Sequence, residues 1–251
     1  MFDPINIWLF GGLVVLLLVV TFELGFQAAR RLGNSAETTL TGVLAAALLG
    51  LLGLLLAFCF GIVEARFSTR KMLVIEEANV IGTTYLRAGM LAAPHAERSR
   101  ELLRTYVDVR LRVRSVAVLE QSIGKAEALQ GQLWREATAV ARQDPHSLVA
   151  GLFIHSLNEV IDVHQKRVTV ALHHRLPPAM LLTLCVVAAL ALLVHGYSAG
   201  LERGRTLLPT LTLVASLATV LLVIVELDRP WQRMFTVSQD ALVSVRKSMT
   251  P

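Results

Sequence analysis

Four stretches of this chain, Ile5–Phe22, Thr38–Val63, Leu176–Leu201 and Thr206–Val225, are apolar and contain no charged side chain. A hydrocarbon core about 30 Å thick is crossed by about 20 residues of helix. Inside it, every backbone N–H and C=O must be satisfied within the segment. The four stretches therefore predict an all-α polytopic membrane protein with four transmembrane helices and a helical insert between the second and third. Composition agrees: 54% of the residues are hydrophobic and the mean hydropathy is +0.59, outside the soluble globular range. The lipid bilayer is the first partner this implies. The expected organisation is a first helix pair over 1–63, a helical region over 64–177, a second pair over 178–226 and a tail over 227–251.

The formal net charge of +5 is concentrated in the insert, where 16 of the 24 Lys and Arg residues face 12 acidic ones. Such a mild, dispersed excess does not point to nucleic acid. It suits a face beside anionic lipid or a vestibule that attracts small anions. With four spans, both termini lie on the side of the insert. Arg66, Arg70, Lys71, Lys166, Arg167, Arg175, Arg229 and Arg233 on that side outvote Arg30, Arg31, Arg203 and Arg205 on the other. The positive-inside rule then makes N-terminus, insert and tail cytoplasmic, in a bacterial inner membrane. The first span taken alone votes the other way, since its only basic flank is Arg30-Arg31. Asp3 and the lack of a basic leader speak for a retained span and against a cleavable signal. Cys59 and Cys185 sit inside apolar runs and read as small hydrophobes, not as a disulfide or metal pair.

The second span has no helix stop. No proline occurs between Thr38 and Leu91, so one helix is expected to leave the bilayer and continue into the insert. Pro94 starts the next helix, Asp144 is a candidate N-cap for a helix running to His174, and Pro177-Pro178 breaks the chain before the third span. Val109, Leu111 and Val113 alternate with Arg110, Arg112 and Arg114 as in a half-buried strand. With no second strand to pair with, the segment is assigned to helix.

Several constellations carry candidate chemistry. On the second span, Ala46, Gly50, Gly53, Ala57 and Gly61 form a stripe of small residues, the pattern of close helix packing in lipid. Beside it, Leu54, Phe58 and Ile62 repeat at i, i+4, i+8, and rings of such residues in an oligomer form a constriction that closes by dewetting. At the exit of that helix, Glu76, Asn79, Thr83 and Arg87 share a face, next to Glu77 and a mid-helix Gly82 that implies a close contact. His155, Glu159, Asp162 and Lys166 share another face. Surface ion pairing explains that spacing better than a metal. Glu226, Asp228, Arg229 and Pro230 end the fourth span, with Trp231 and Phe235 as interfacial anchors. No cofactor is called for, and no intramembrane ionisable cluster marks a catalytic site, so an enzyme is the least expected class.

Glu76–Arg87 (EEANVIGTTYLR), Leu157–His164 (LNEVIDVH, with Asn158, Glu159 and Asp162) and Leu227-Asp228-Arg229-Pro230 followed by Val237-Ser238 resemble the bacterial bestrophin-like membrane proteins. The second span also resembles the bestrophin pattern, in which a neck phenylalanine precedes an arginine and an aromatic by eight positions: here Phe58, then Arg66-Phe67. That resemblance implies a homo-oligomer, five-fold by preference, passing small anions through a neck lined by Phe58, Leu54 and Gly50. Gly50 departs from the bulky neck pattern, and Arg66-Phe67 lacks the usual double aromatic. No acidic run like the calcium clasp of animal bestrophins is present. Two other classes fit the layout. A proton-driven stator subunit also carries a large block between its second and third spans, and Thr210, Thr212, Ser216 and Thr219 would be its polar row. A non-conducting scaffold or sensor is the third.

Overall fold

The structure, a computed structural model, describes residues 6–32, 38–112, 116–173, 176–202, 207–229 and 236–249. Among them every regular element is helical: α1 (Ile7–Leu32), α2 (Thr38–Ala88), α3 (His95–Leu111), α4 (Val116–Gln143), α5 (Leu148–His173), α6 (Pro178–Leu201), α7 (Leu207–Asp228) and α8 (Asp240–Ser248). The chain divides into two compact units. One comprises Met1–Arg66 with Arg175–Arg229, the other Phe67–His174 with Pro230–Pro251. The two helix pairs expected as separate regions thus form one unit, and the tail joins the insert in the other.

The first unit holds α1, the first half of α2, α6 and α7. All four helices are long and apolar enough to cross a membrane, yet only 22–33% of each apolar window is buried within the protomer. The remaining apolar surface needs lipid or another chain around it. The protein is a multi-pass membrane protein. α1 packs along α6 and α7, and its buried positions Gly11, Val14, Leu18, Phe22, Gly25 and Ala29 recur every three or four residues. The closest approach is backbone to backbone. A Cβ on Gly25 would collide with the Leu193 carbonyl and lie 2.9 Å from the Tyr197 nitrogen, and one on Gly196 would collide with the Phe22 carbonyl. Only glycine permits this crossing. α1 also continues past Phe22, where the apolar run ends, to Leu32. Glu23, Gln27, Arg30 and Arg31 are good helix formers, and Gln27 donates to Glu23 at 3.1 Å.

α2 is unbroken through 51 residues, as its lack of proline predicts. At 1.5 Å per residue that far exceeds a core of about 30 Å. The stripe Ala46, Gly50, Gly53, Ala57 and Gly61 does not pack inside the protomer. All five residues are exposed, and nothing lies within 4 Å of a Cβ placed on Gly50, Gly53 or Gly61. The protomer's tight glycine contact is the α1–α6 crossing instead.

The second unit is a bundle of α3, α4, α5, α8 and the end of α2. Its core includes Ile81, Tyr85, Leu103, Tyr106, Leu133, Phe153, Leu157, Val160 and Leu242. The alternating run is helix as far as Leu111, whereas Val113 and Arg114 lie outside the described residues. Asp144 does not cap α5. Its carboxylate accepts the His146 N–H at 3.1 Å, closing a turn, and Ser147 Oγ accepts the Ala150 N–H at 3.2 Å as the actual cap. The tail contributes an unexpected helix, α8. It buries Leu242, pairs Arg246 with Asp108 at 2.7 and 3.1 Å, and has the Met249 carbonyl accept from Arg104 at 3.0 Å.

Candidate functional site

Two arrangements have functional geometry, one in each unit. In the membrane unit, α2 has a buried side made by Ala45, Leu52, Leu56, Cys59 and Val63. Its other side is bare. Phe58 is 63% and Leu54 53% exposed, Ile62 is exposed, and Gly50 continues the row. Apolar rings presented outward on a membrane helix can meet lipid, a neighbouring subunit or a pore axis.

At the end of the same unit, Leu227, Asp228 and Arg229 are buried and so is Glu226. The Asp228 carboxylate accepts the buried Leu176 N–H at 2.9 Å and lies 3.5 Å from Arg66 Nη1. The residues after Leu176 are Pro177 and Pro178, which carry no N–H, so Leu176 supplies the last backbone donor before α6. Pro230, Trp231 and Phe235 fall outside the described residues. In α7 the hydroxyls of Thr212, Ser216 and Thr219 each donate to a carbonyl four residues back, at 2.9, 2.7 and 2.7 Å. Three of the four hydroxyls of the polar row proposed for a stator subunit are thus satisfied within their own helix.

In the polar unit, the Glu76–Arg87 segment splits between two faces. Glu76, Asn79 and Thr83 point outward, with Glu76 only 3.5 Å from the Lys166 ammonium, and Arg87 donates to the Leu152 carbonyl at 3.0 Å. Gly82 makes the close contact its position implied: a Cβ there would sit 3.3 Å from Val245 of α8. Asn158 and Asp162 are exposed, and Glu159 stands 4.0 Å from His155 as a surface pair.

The buried face joins Glu77 of that motif to residues of α3, α4 and α5 that the sequence pattern did not link to it. Glu77 is fully buried among residues from four helices. Arg110 Nε lies 2.9 Å from its Oε1, Arg167 meets its Oε2, and the Tyr106 hydroxyl donates to Oε1 at 3.1 Å. Tyr106 oxygen also stands 3.2 Å from His164 Nδ1 and accepts from Gln130 Nε2 at 3.4 Å. A phenol has one proton, and Glu77 takes it, so His164 must donate from Nδ1. Its Nε2 is then a bare acceptor. That atom is buried with no hydrogen-bond partner, and so are Nε and Nη1 of Arg110. Burial, and then the nearby Arg110 charge, hold His164 down at about 4. Burial likewise lowers Arg110, brings Arg167 to about 10, and raises the Tyr106 phenol.

With this geometry in place, comparison with known families is decisive. The bestrophin-like domain model matches residues 12–242. This chain belongs to the bestrophin-like family. Solved structures similar to it include the bacterial bestrophin homolog from Klebsiella pneumoniae phased by zinc anomalous scattering, at 15% identity, 97% of each chain and a TM-score of 0.64. Two point mutants of that homolog give 16% identity over 94% of this chain and 96% of theirs, with a TM-score of 0.65, and 15% over 97% and 98%, with 0.66. At such identity the bestrophin fold is shared, whereas residue roles must be argued from this chain. A comparison with curated proteins yields no match.

Proposed function

We propose that this bestrophin-like protein assembles as a symmetric homo-oligomer, five-fold by preference, and conducts small anions along an axis lined by α2. The observation that carries the reading is the bare apolar row on α2: Leu54 and Phe58, exposed in a protomer whose other α2 side is buried. Repeated around an axis, these side chains make narrow apolar rings, a constriction that conducts only when wetted. Gly50 leaves its own ring without bulk, so the constriction is shorter on that side of Leu54. The basic excess of the polar unit supplies a positive potential that raises local anion concentration. N-terminus, polar unit and tail face the cytoplasm of a bacterial inner membrane, and no covalent chemistry is assigned.

The test is reconstitution of the purified protein in liposomes, with halide efflux measured for wild type and Phe58→Ala. Faster or ungated efflux in the variant is the expected result. Silent vesicles for both proteins, together with images showing no central axis, would overturn the reading in favour of a scaffold.

A further inference from the structure

The polar unit encloses an unbalanced charge. Among the described residues around Glu77, one carboxylate faces two guanidiniums, Arg110 and Arg167. The Glu77 and Arg110 side chains are 0% and 4% exposed, and that of Arg167 is 17% exposed. A buried ion pair is tolerable when charges and donors are matched; an excess cation away from water is costly. Arg110 makes the mismatch concrete. Its Nε lies near Glu77 Oε1 without hydrogen-bond geometry, and Nη1 has no acceptor at all, although both atoms are shielded from solvent. The Tyr106 hydroxyl cannot relieve it, because it is already committed to Glu77, His164 and Gln130.

We propose that Arg110 Nη1 marks a binding site for one monatomic anion of the chloride class inside the polar unit. The ion neutralises the excess positive charge of the Glu77–Arg110–Arg167 cluster and thereby stabilises the bundle. The bare Nε2 of His164 belongs on the side away from the ion, since a lone pair repels an anion. This role is separate from conduction, because it concerns a static ion holding α2, α3 and α5 together, and it stands even in a non-conducting protein.

The test uses the full-length protein in detergent, unfolded by heat in chloride or bromide against gluconate at equal ionic strength. The melting temperature should rise with the logarithm of halide concentration, by roughly 3–5 °C for each tenfold increase once the site saturates. Arg110→Met should abolish that dependence, and Lys166→Met, on the exposed Glu76 pair, should keep it. Should Arg110→Met fail to fold, bromide-soaked crystals of the wild type decide the matter through an anomalous peak within hydrogen-bond distance of Nη1. Equal melting in halide and gluconate, a halide response that survives in Arg110→Met, or a water at that position in the bromide soak would each overturn the proposal.

Discussion

At the scale of single residues, the buried cluster is built from polar groups that continue apolar stripes. On α5 the series Phe153, Leu157, Val160, His164 and Arg167 advances by fours and threes. On α3 Leu103, Tyr106 and Arg110 do the same, and on α2 Val74, Glu77 and Ile81. Each side chain is carried inward by the helix period and must find its partner there. Removing one partner leaves the others uncompensated. Glu77→Ala is therefore expected to destabilise the protein by about 3–5 kcal/mol, read as a lower denaturation midpoint. The exposed Glu76→Ala should cost under about 1 kcal/mol.

His164 gives a pH dependence of defined sign. It is packed against Tyr106 and Arg110 of α3, with Glu77 of α2, Gln130 of α4 and Arg167 of α5 in the same cluster, and its value falls from 6.5 to about 4 on folding. The unfolded chain then binds more protons than the folded one between these limits. Stability is full above about 6.5 and is lost as the pH drops toward 4, by up to roughly 3 kcal/mol. Melting curves of wild type and His164→Gln across that window should diverge, the variant losing the part of the slope that histidine contributes. Parallel curves would refute the assignment.

At the scale of elements, the two glycine-bearing faces predict opposite outcomes. Gly196→Ala drives a methyl into the Phe22 carbonyl at the α1–α6 crossing and should cost about 1–3 kcal/mol of protomer stability. The last helix provides a second contrast: Leu242→Ala empties a fully buried position and should cost about 2–5 kcal/mol, whereas Arg246→Ala breaks a part-exposed pair worth under about 1 kcal/mol. Protease sensitivity of the tail, compared between the two variants, checks this. These elements also mark how far the sequence could be read. Four spans, the unbroken α2 and the start at Pro94 follow from hydropathy and proline alone. α8 does not, because nine residues have too little helix propensity to announce themselves and are held by Asp108, Arg104 and the core. The α1–α6 crossing was equally hidden. Gly25, Gly196 and Gly200 are spread over two helices far apart in the chain and form no stripe like the one on α2, so only the fold shows that they meet. The cluster around Glu77 was missed for a related reason: charged residues were sorted to the surface, although three helices placed theirs on the stripe that faces inward.

At the scale of the whole molecule, the protomer leaves its most regular small-residue stripe unpaired. Ala46, Gly50, Gly53, Ala57 and Gly61 lie on α2 beside Leu54 and Phe58, all exposed. In water such a surface would be buried by the hydrophobic effect. In lipid it gains by close van der Waals packing, which small residues permit and bulky ones forbid. In the homo-oligomer proposed above, a second copy of the chain covers this stripe. Gly53→Leu is then expected to leave the protomer folded, because nothing lies within 4 Å of that position. It should nevertheless weaken assembly. Circular dichroism would show unchanged helicity and melting of the monomer, while mass measurement in detergent would show the oligomer giving way to smaller species on dilution. Lipid alone around α2 predicts the other result, with Gly53→Leu as large an assembly as wild type, and would remove the stripe from the subunit interface.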